Sequence, residues 1–340
     1  MRYVQIEEAQ AGMIAAKPIF DNIGKVLLSK GSVVTADYIE RLMRRGMPGF
    51  YIEDEWSKDI EIEDVISPEL RNAGIAALRN NNIDETLDIA KKMIEQILSS
   101  SVVSLDLMDL KSYDNYTYQH SVNVAIISTL VGMKMGLTKG NLQDLCIAAI
   151  LHDVGKVLID NDVLNKPGRL TNEEYTIVQR HSTLGYEIIK DRLDISATVK
   201  SAILMHHENE DGSGYPNGYK SGQIHLYAKI IHVADVFDAL TSKRTYKPAY
   251  ARSEAAEYLM GSCGTMFNKE VVEAFLLAVP IYPRGIRVLL SNHLDAIVVR
   301  NTKNTLRPVI RFENNEEIDM SDLTQNRSLT IVPSKKVIVR

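Results

Sequence analysis

The chain is predicted to be mainly α, with an all-helical central domain between a small N-terminal α/β module and a short β-rich C-terminal appendage. Three observations predict this. From about Ser112 to Pro280 nearly every stretch carries helical apolar spacing, broken once by the glycine-rich segment Asp211 to Gly218. Short β-branched runs fall towards the two ends. The 340 residues, 45% apolar and 24% charged, also exceed what one core usually organises. The expected boundaries are 1–60 for the α/β module, 61–111 for a helical linker region, 112–282 for the central domain and 283–340 for the extension.

Taken in order, Lys25-Val26-Leu27-Leu28 follows the turn-like Asp21 to Gly24 and precedes Lys30-Gly31, so a hairpin or extended pair is expected. Thr35 to Arg45 reads as a helix carrying Tyr38, Ile39, Leu42 and Met43 at helical spacing, stopped by Gly46 and Pro48. Gly49 to Ile52 reads as a strand. Acidic residues from Glu53 to Asp64 read as a solvated linker. Asp84, a candidate N-cap, opens a helix to Leu98 that places Leu87, Ala90, Ile94, Ile97 and Leu98 on one face. Such a stripe suits a dimer seam or, more commonly, the chain's own core. Thr171 with Glu174 forms a capping box, followed by Ile177, His181, Leu184 and Ile188 on one stripe. Ile286 to Leu290, Ala296 to Arg300 and Leu329 to Val332 read as strands.

Charge and cysteine content exclude several classes. With 39 basic against 44 acidic residues the net charge is -5, which gives no broad footprint for duplex nucleic acid. Two cysteines, Cys146 and Cys263, make neither a disulfide framework nor a four-cysteine zinc site. Cys146 sits in an apolar helical run and reads as a small buried hydrophobe. The opening MRYVQIEEAQ is unlike a secretory leader. The most apolar stretch, Val122 to Val131, includes Asn123, Ser128 and Thr129 and is too short to span a bilayer. A cytoplasmic location is the expectation.

Five of the eight histidines lie in the helical middle: His120, His152, His181 and the adjacent His206 and His207. Each has small or apolar neighbours, where an unpaired imidazole is costly to bury. Asp153 follows His152 directly, and Asp235 lies in the apolar run Ile230 to Phe237. A lone histidine on an apolar helix face is more often a hydrogen-bonded core residue than a ligand, and His225, His232 and His293 are read that way or as surface residues. The conjunction of a His-Asp pair, a His-His pair and isolated His and Asp residues points instead to a metal centre. Imidazole with a bridging carboxylate favours iron, manganese or similar first-row metals.

Leu151-His152-Asp153-Val154-Gly155-Lys156 resembles the signature of the HD-domain phosphohydrolases. His206-His207-Glu208 followed by Asp211-Gly212-Ser213-Gly214-Tyr215-Pro216 and Gly218 resembles the extended signature of the HD-GYP subfamily. Tyr116 to Val124, around His120, and Ala234-Asp235-Val236-Phe237-Asp238-Ala239-Leu240-Thr241-Ser242 are similar to further family segments. The resemblance covers about 112–280. It implies an HD-GYP catalytic domain that hydrolyses cyclic di-GMP to linear pGpG, and on to GMP if a second cut follows, by attack of metal-activated water. His120, His152, Asp153 and Asp235 would hold one metal and His181, His206 and His207 a second, with Asp153 bridging. Lys156 would face the substrate phosphate, with Asp211, Gly214, Tyr215, Pro216, Arg244 and Lys247 as further substrate contacts. Some members hold a third metal through a glutamate at the position of Tyr116, so two divalent ions, iron or manganese, are expected here.

Two other readings stand beside this one. One is a receptor that binds a cyclic dinucleotide without turnover, disfavoured because all seven ligand positions are intact. The other is a phosphohydrolase of another nucleotide. Partner expectations are cyclic di-GMP as substrate, a homodimer, and a diguanylate cyclase or other signalling protein.

Overall fold

The computed structural model describes residues 1–20, 26–100, 116–242 and 249–332. The chain is mainly α, with small sheets near both ends. At the start, β1 (Arg2–Gln5), β2 (Ile14–Ala15), β3 (Ile19–Phe20) and β4 (Val26–Leu28) precede α1 (Ala36–Arg44) and β5 (Gly49–Glu53). The expected hairpin is the antiparallel β3–β4 pair, while its turn, Asp21 to Lys25, lies outside the described residues. Thr35 caps α1 by accepting the Tyr38 N–H.

The helical unit follows, with α2 (Pro68–Arg79), α3 (Ile83–Ser99), α4 (Tyr116–Lys134) and α5 (Lys139–Leu151). After a 3-10 helix (Val154–Leu158) come α6 (Asn161–Leu164), α7 (Asn172–Gln179), α8 (His181–Ile189) and α9 (Ala197–Met205). The unit closes with α10 (Leu226–Thr241), α11 (Arg252–Gly261) and α12 (Lys269–Ala278). α4 is buried on all sides from residue 119 to residue 132, as a helix packed against α2, α5, α10 and α12 must be. Four residues of the α3 stripe, Leu87, Ala90, Ile94 and Ile97, are buried inside this unit, where α3 packs on α2 and α5, but Leu98, about 100° round the helix from Ile97, is exposed. Its N-cap is Asn82 and not Asp84: the Asn82 side chain accepts the Glu85 N–H at 3.2 Å, and Asp84 sits in the first turn. The capping box of α7 forms as its spacing requires, with Thr171 N–H to Glu174 at 2.7 Å and Glu174 N–H to Thr171 at 3.2 Å. Cys146 is fully buried, and burial pushes its thiol up to about 12.

At the end of the chain, β6 (Arg287–Leu290), β7 (Asp295–Arg300), β8 (Val309–Arg311), β9 (Glu317–Asp319), α13 (Leu323–Asn326) and β10 (Ile331–Val332) follow. The five strands form an antiparallel sheet in the order β10-β6-β7-β8-β9. β8 and β9 had no sequence signal, being three residues each, with charged Glu317 and Asp319 flanking one isoleucine.

The chain divides into two compact units, and the division differs from the expected boundaries. Among the described residues, Met1–Val65 and residues 280–332 share one unit, whereas α2 and α3, expected in a linker region, belong to the helical one. Tyr3, Tyr51, Ile60 and Ile62 share a core cluster with Ile297. Arg311 binds both oxygens of Asp59 at 2.5 and 2.6 Å, and Trp56 Nε1 donates to the Phe312 carbonyl at 3.0 Å. No helix among the described residues is long and apolar enough to cross a membrane.

Candidate metal centre

Four of the five midchain histidines meet in the helical unit because of where their helices end or begin. α5 stops at Leu151, so His152 and Asp153 stand at its C-terminus. α9 stops at Met205, so His206 and His207 follow directly. α7 ends at Gln179 and His181 opens α8. A helix C-terminus leaves carbonyl groups without intrahelical donors. Three of these are taken by imidazoles: His152 Nδ1 donates to Ala149, His181 Nδ1 to Val178 and His206 Nδ1 to Ile203, each at 2.7 Å. A carbonyl only accepts, so the proton is fixed on Nδ1 and the Nε2 lone pair turns inward.

His120 comes from the first turns of α4 and Asp235 from the middle of α10. His120 Nε2 lies 2.9 Å from Asp235 Oδ1, and its Nδ1 lies 2.7 Å from Asp238 Oδ2. Asp153 sits between the sets: His152 Nε2 is 3.3 Å from Oδ2 and His181 Nε2 is 3.4 Å from Oδ1. Lys156 Nζ donates to Asp153 Oδ2 at 2.5 Å. His207 Nδ1 lies 3.9 Å from Asp235 Oδ2.

These residues fit a metal. His152 Nε2 and Asp153 Oδ1 are buried and have no hydrogen-bond partner. His181 Nε2 and His206 Nε2 face each other at 3.2 Å although both protons are committed to Nδ1, leaving two lone pairs opposed. In each of two groups, His120/His152/Asp153 and His181/His206/His207, the donor atoms lie within 4.8 Å of one another. Left alone such atoms are costly to bury; a shared cation would satisfy them. Charge favours the ligand forms as well. Burial pushes the Asp153 carboxyl up, but His152 and Lys156 outweigh it and hold it well below the usual carboxylate range. Burial lowers His181, His206 and His207, keeping them neutral.

A cavity of about 590 Å³ opens beside this cluster. Lys156, His207, Gly214 and Tyr215 line it, together with Tyr175 and His232. The Tyr215 ring stacks on His207 with centroids 4.7 Å apart. The glycine-rich loop is held by Glu208, buried, which accepts the Asn217 and Tyr219 N–H groups at 2.8 and 2.9 Å. Gly214 is required by contact: a Cβ there would lie 2.4 Å from both the His207 oxygen and the Asn209 nitrogen. The Tyr215–Pro216 peptide is cis.

All seven expected ligands therefore converge, as do Lys156, Gly214 and Tyr215. Asp211 and Pro216 do not face the cavity; both are exposed, and the Asp211 carboxylate accepts the Ser213 N–H at 2.8 Å within the loop. Arg244 and Lys247 lie outside the described residues. His232, read from sequence as an ordinary core or surface histidine, is buried and borders the cavity. Sequence reasoning missed Asp238, Asn123, Arg71 and Glu208 as site residues. Asp238 offered a signal, a second carboxylate one helical turn after Asp235 in an apolar run.

The family model of the HD domain matches residues 92–271. A cyclic di-GMP phosphodiesterase of Pseudomonas aeruginosa is 35% identical over 247 residues, 70% of this chain and 59% of that protein. A cyclic di-GMP phosphodiesterase response regulator of Xanthomonas campestris is 42% identical over 151 residues, 44% of this chain and 40% of the relative. The chain thus spans about half the length of these relatives. An HDG"Y"P protein from Bdellovibrio bacteriovorus shares the fold, with a TM-score of 0.54 at 20% identity, covering 80% of this chain and 97% of that one.

Proposed function

The chain belongs to the HD domain family, and on that premise we propose that it is a divalent-metal phosphodiesterase acting on cyclic di-GMP. One observation carries the metal reading: the buried, unsatisfied His152 Nε2 and Asp153 Oδ1 at the junction of two donor groups. The substrate reading is supported by the names of the Pseudomonas and Xanthomonas relatives.

His120, His152, Asp153 and Asp235 would hold one cation and His181, His206 and His207 the other, with Asp153 shared because a carboxylate has two oxygens to offer. Donors of imidazole and carboxylate suit iron or manganese. Such a pair, when bound, supplies Lewis-acid activation of water and neutralises phosphoryl charge. The chain's own groups do the rest. Lys156 places a positive charge at the cavity wall, where a phosphoryl oxygen would gain negative charge. Tyr215 presents a ring against His207, and burial raises its hydroxyl, so it stays a neutral donor. Gly214 lets the loop backbone approach the ligand, and Arg244 and Lys247 are proposed as further phosphate contacts. With Tyr116 in place of a glutamate, no third metal is expected.

Anaerobic purification with elemental analysis, followed by chromatography of products from cyclic di-GMP and a mixed cyclic dinucleotide, tests this. About two first-row metals per chain and a linear product from cyclic di-GMP are expected. Full turnover by chelated protein, or turnover of the mixed dinucleotide alone, would overturn the proposal.

A further inference from the structure

We propose that Arg71 is a positioning residue for the metal centre, acting through Asn123 and Asp238 on the ring of His120. The inference rests on the reading of His120 as a metal ligand. Arg71 lies on α2, ahead of the first residue matched by the family model. Its Nη1 donates to Asn123 Oδ1 at 3.0 Å, and Asn123 Nδ2 donates to Asp238 Oδ1 at 3.0 Å. Asp238 Oδ2 lies 2.7 Å from His120 Nδ1, whose opposite nitrogen faces Asp235. Arg71, Asn123, Asp238 and His120 are all buried.

The relay has a direction. A guanidinium has no acceptor, so it must meet the carbonyl oxygen of Asn123. That turns the amide nitrogen towards Asp238, and the remaining carboxylate oxygen is left for the His120 Nδ1 proton. Without Arg71 the amide is free to flip, presenting its oxygen to the carboxylate and breaking the next link. A carboxylate on the far nitrogen of a ligating histidine fixes the ring and raises its basicity. Arg71 also supplies a buried positive charge across the amide from the Asp238 carboxylate, which Asn123 alone cannot. Because α2 packs on α4, the helix carrying His120 and Asn123, the relay ties the first metal position to an element outside the signature motifs.

The test is a manganese titration of the full chain carrying Arg71→Leu, Asp238→Asn, both together, Arg71→Lys or His120→Ala, with melting of the metal-free proteins followed in parallel. Arg71→Leu and Asp238→Asn should each weaken one of two manganese sites roughly 10–100-fold. The double variant should lose little more than either single one, since both break the same relay. Arg71→Lys, which keeps a charged donor, should recover part of the affinity. Parental affinity in folded Arg71→Leu, or purely additive losses, overturns the proposal. If Arg71→Leu does not fold, parental affinity in Asp238→Asn does the same. His120→Ala separates the two levels: if it retains both manganese ions at parental affinity, the ligand reading fails and the relay with it. If His120→Ala loses an ion and Arg71→Leu does not, only the relay fails.

Discussion

Gly155 lies against the backbone of His181 so closely that a Cβ on it would sit 2.0 Å from the His181 carbonyl oxygen. The same atom would meet the Gly185 nitrogen at 2.4 Å. The 3-10 helix after Asp153 and the first turns of α8 can approach this closely only because residue 155 is glycine, and this contact brings His181 to Asp153.

Gly155→Ala should therefore separate the two donor groups. The obstacle is backbone, which cannot swing aside, so destabilisation of about 1–3 kcal/mol is expected. Thermal unfolding and metal analysis check this. A variant with parental melting and metal content would show that the two segments need not be in contact.

Lys156→Ala should lower turnover about 10²-fold, the size expected for losing one charge-stabilising donor. Metal content should hold, because Lys156 contacts Asp153 without being a ligand. Asp153→Ala, by contrast, should lose both metal and turnover. Elemental analysis beside steady-state kinetics distinguishes the two variants, and metal loss from Lys156→Ala would reassign that lysine to organising the ligands.

Glu208→Ala should loosen the glycine-rich loop by leaving the Asn217 and Tyr219 N–H groups without their acceptor. Asn217 is exposed, so water can replace its acceptor, whereas the half-buried Tyr219 N–H loses up to about 1–3 kcal/mol. Since the loop lines the cavity and donates no metal ligand of its own, KM should rise more than kcat falls. An unchanged KM would mean that the loop does not meet the substrate.

Arg311 holds the Asp59 carboxyl down to about 2. The unfolded carboxyl titrates near ~3.9. The folded value is the lower one, so the pair's contribution is complete above about pH 4 and lost as pH falls towards 2. Asp59 is more than half exposed, so the effect is screened by solvent. Arg311→Met should unfold earlier than the parent at pH 7, and the gap should narrow below pH 4. Acid titrations followed by circular dichroism measure it; a gap that widens on acidification would contradict the assignment.

Much of this molecule is legible along the chain. Helix α7 follows from Thr171 and Glu174, and α1 from Thr35 and its apolar spacing, because capping and periodicity act between residues a few positions apart. The same reasoning put Asp84 in the role of Asn82, since either side chain can cap and only the backbone's entry angle chooses between them. The seven candidate ligands stood out because buried imidazoles and carboxylates are chemically expensive wherever they occur.

Amino-acid order by itself determined which residues would seek a cation and which stretches would coil. Tertiary packing alone decided who stands behind them: Arg71 and Asn123 are unremarkable polar residues until α2 and α10 close on α4 and join them to Asp238. It also decided that Asp59 and Arg311, 252 positions apart, share one compact unit. The physical reason is common to both. Local propensities are written within a turn or two of helix, whereas a buried ion pair or relay exists only once distant segments have excluded water together.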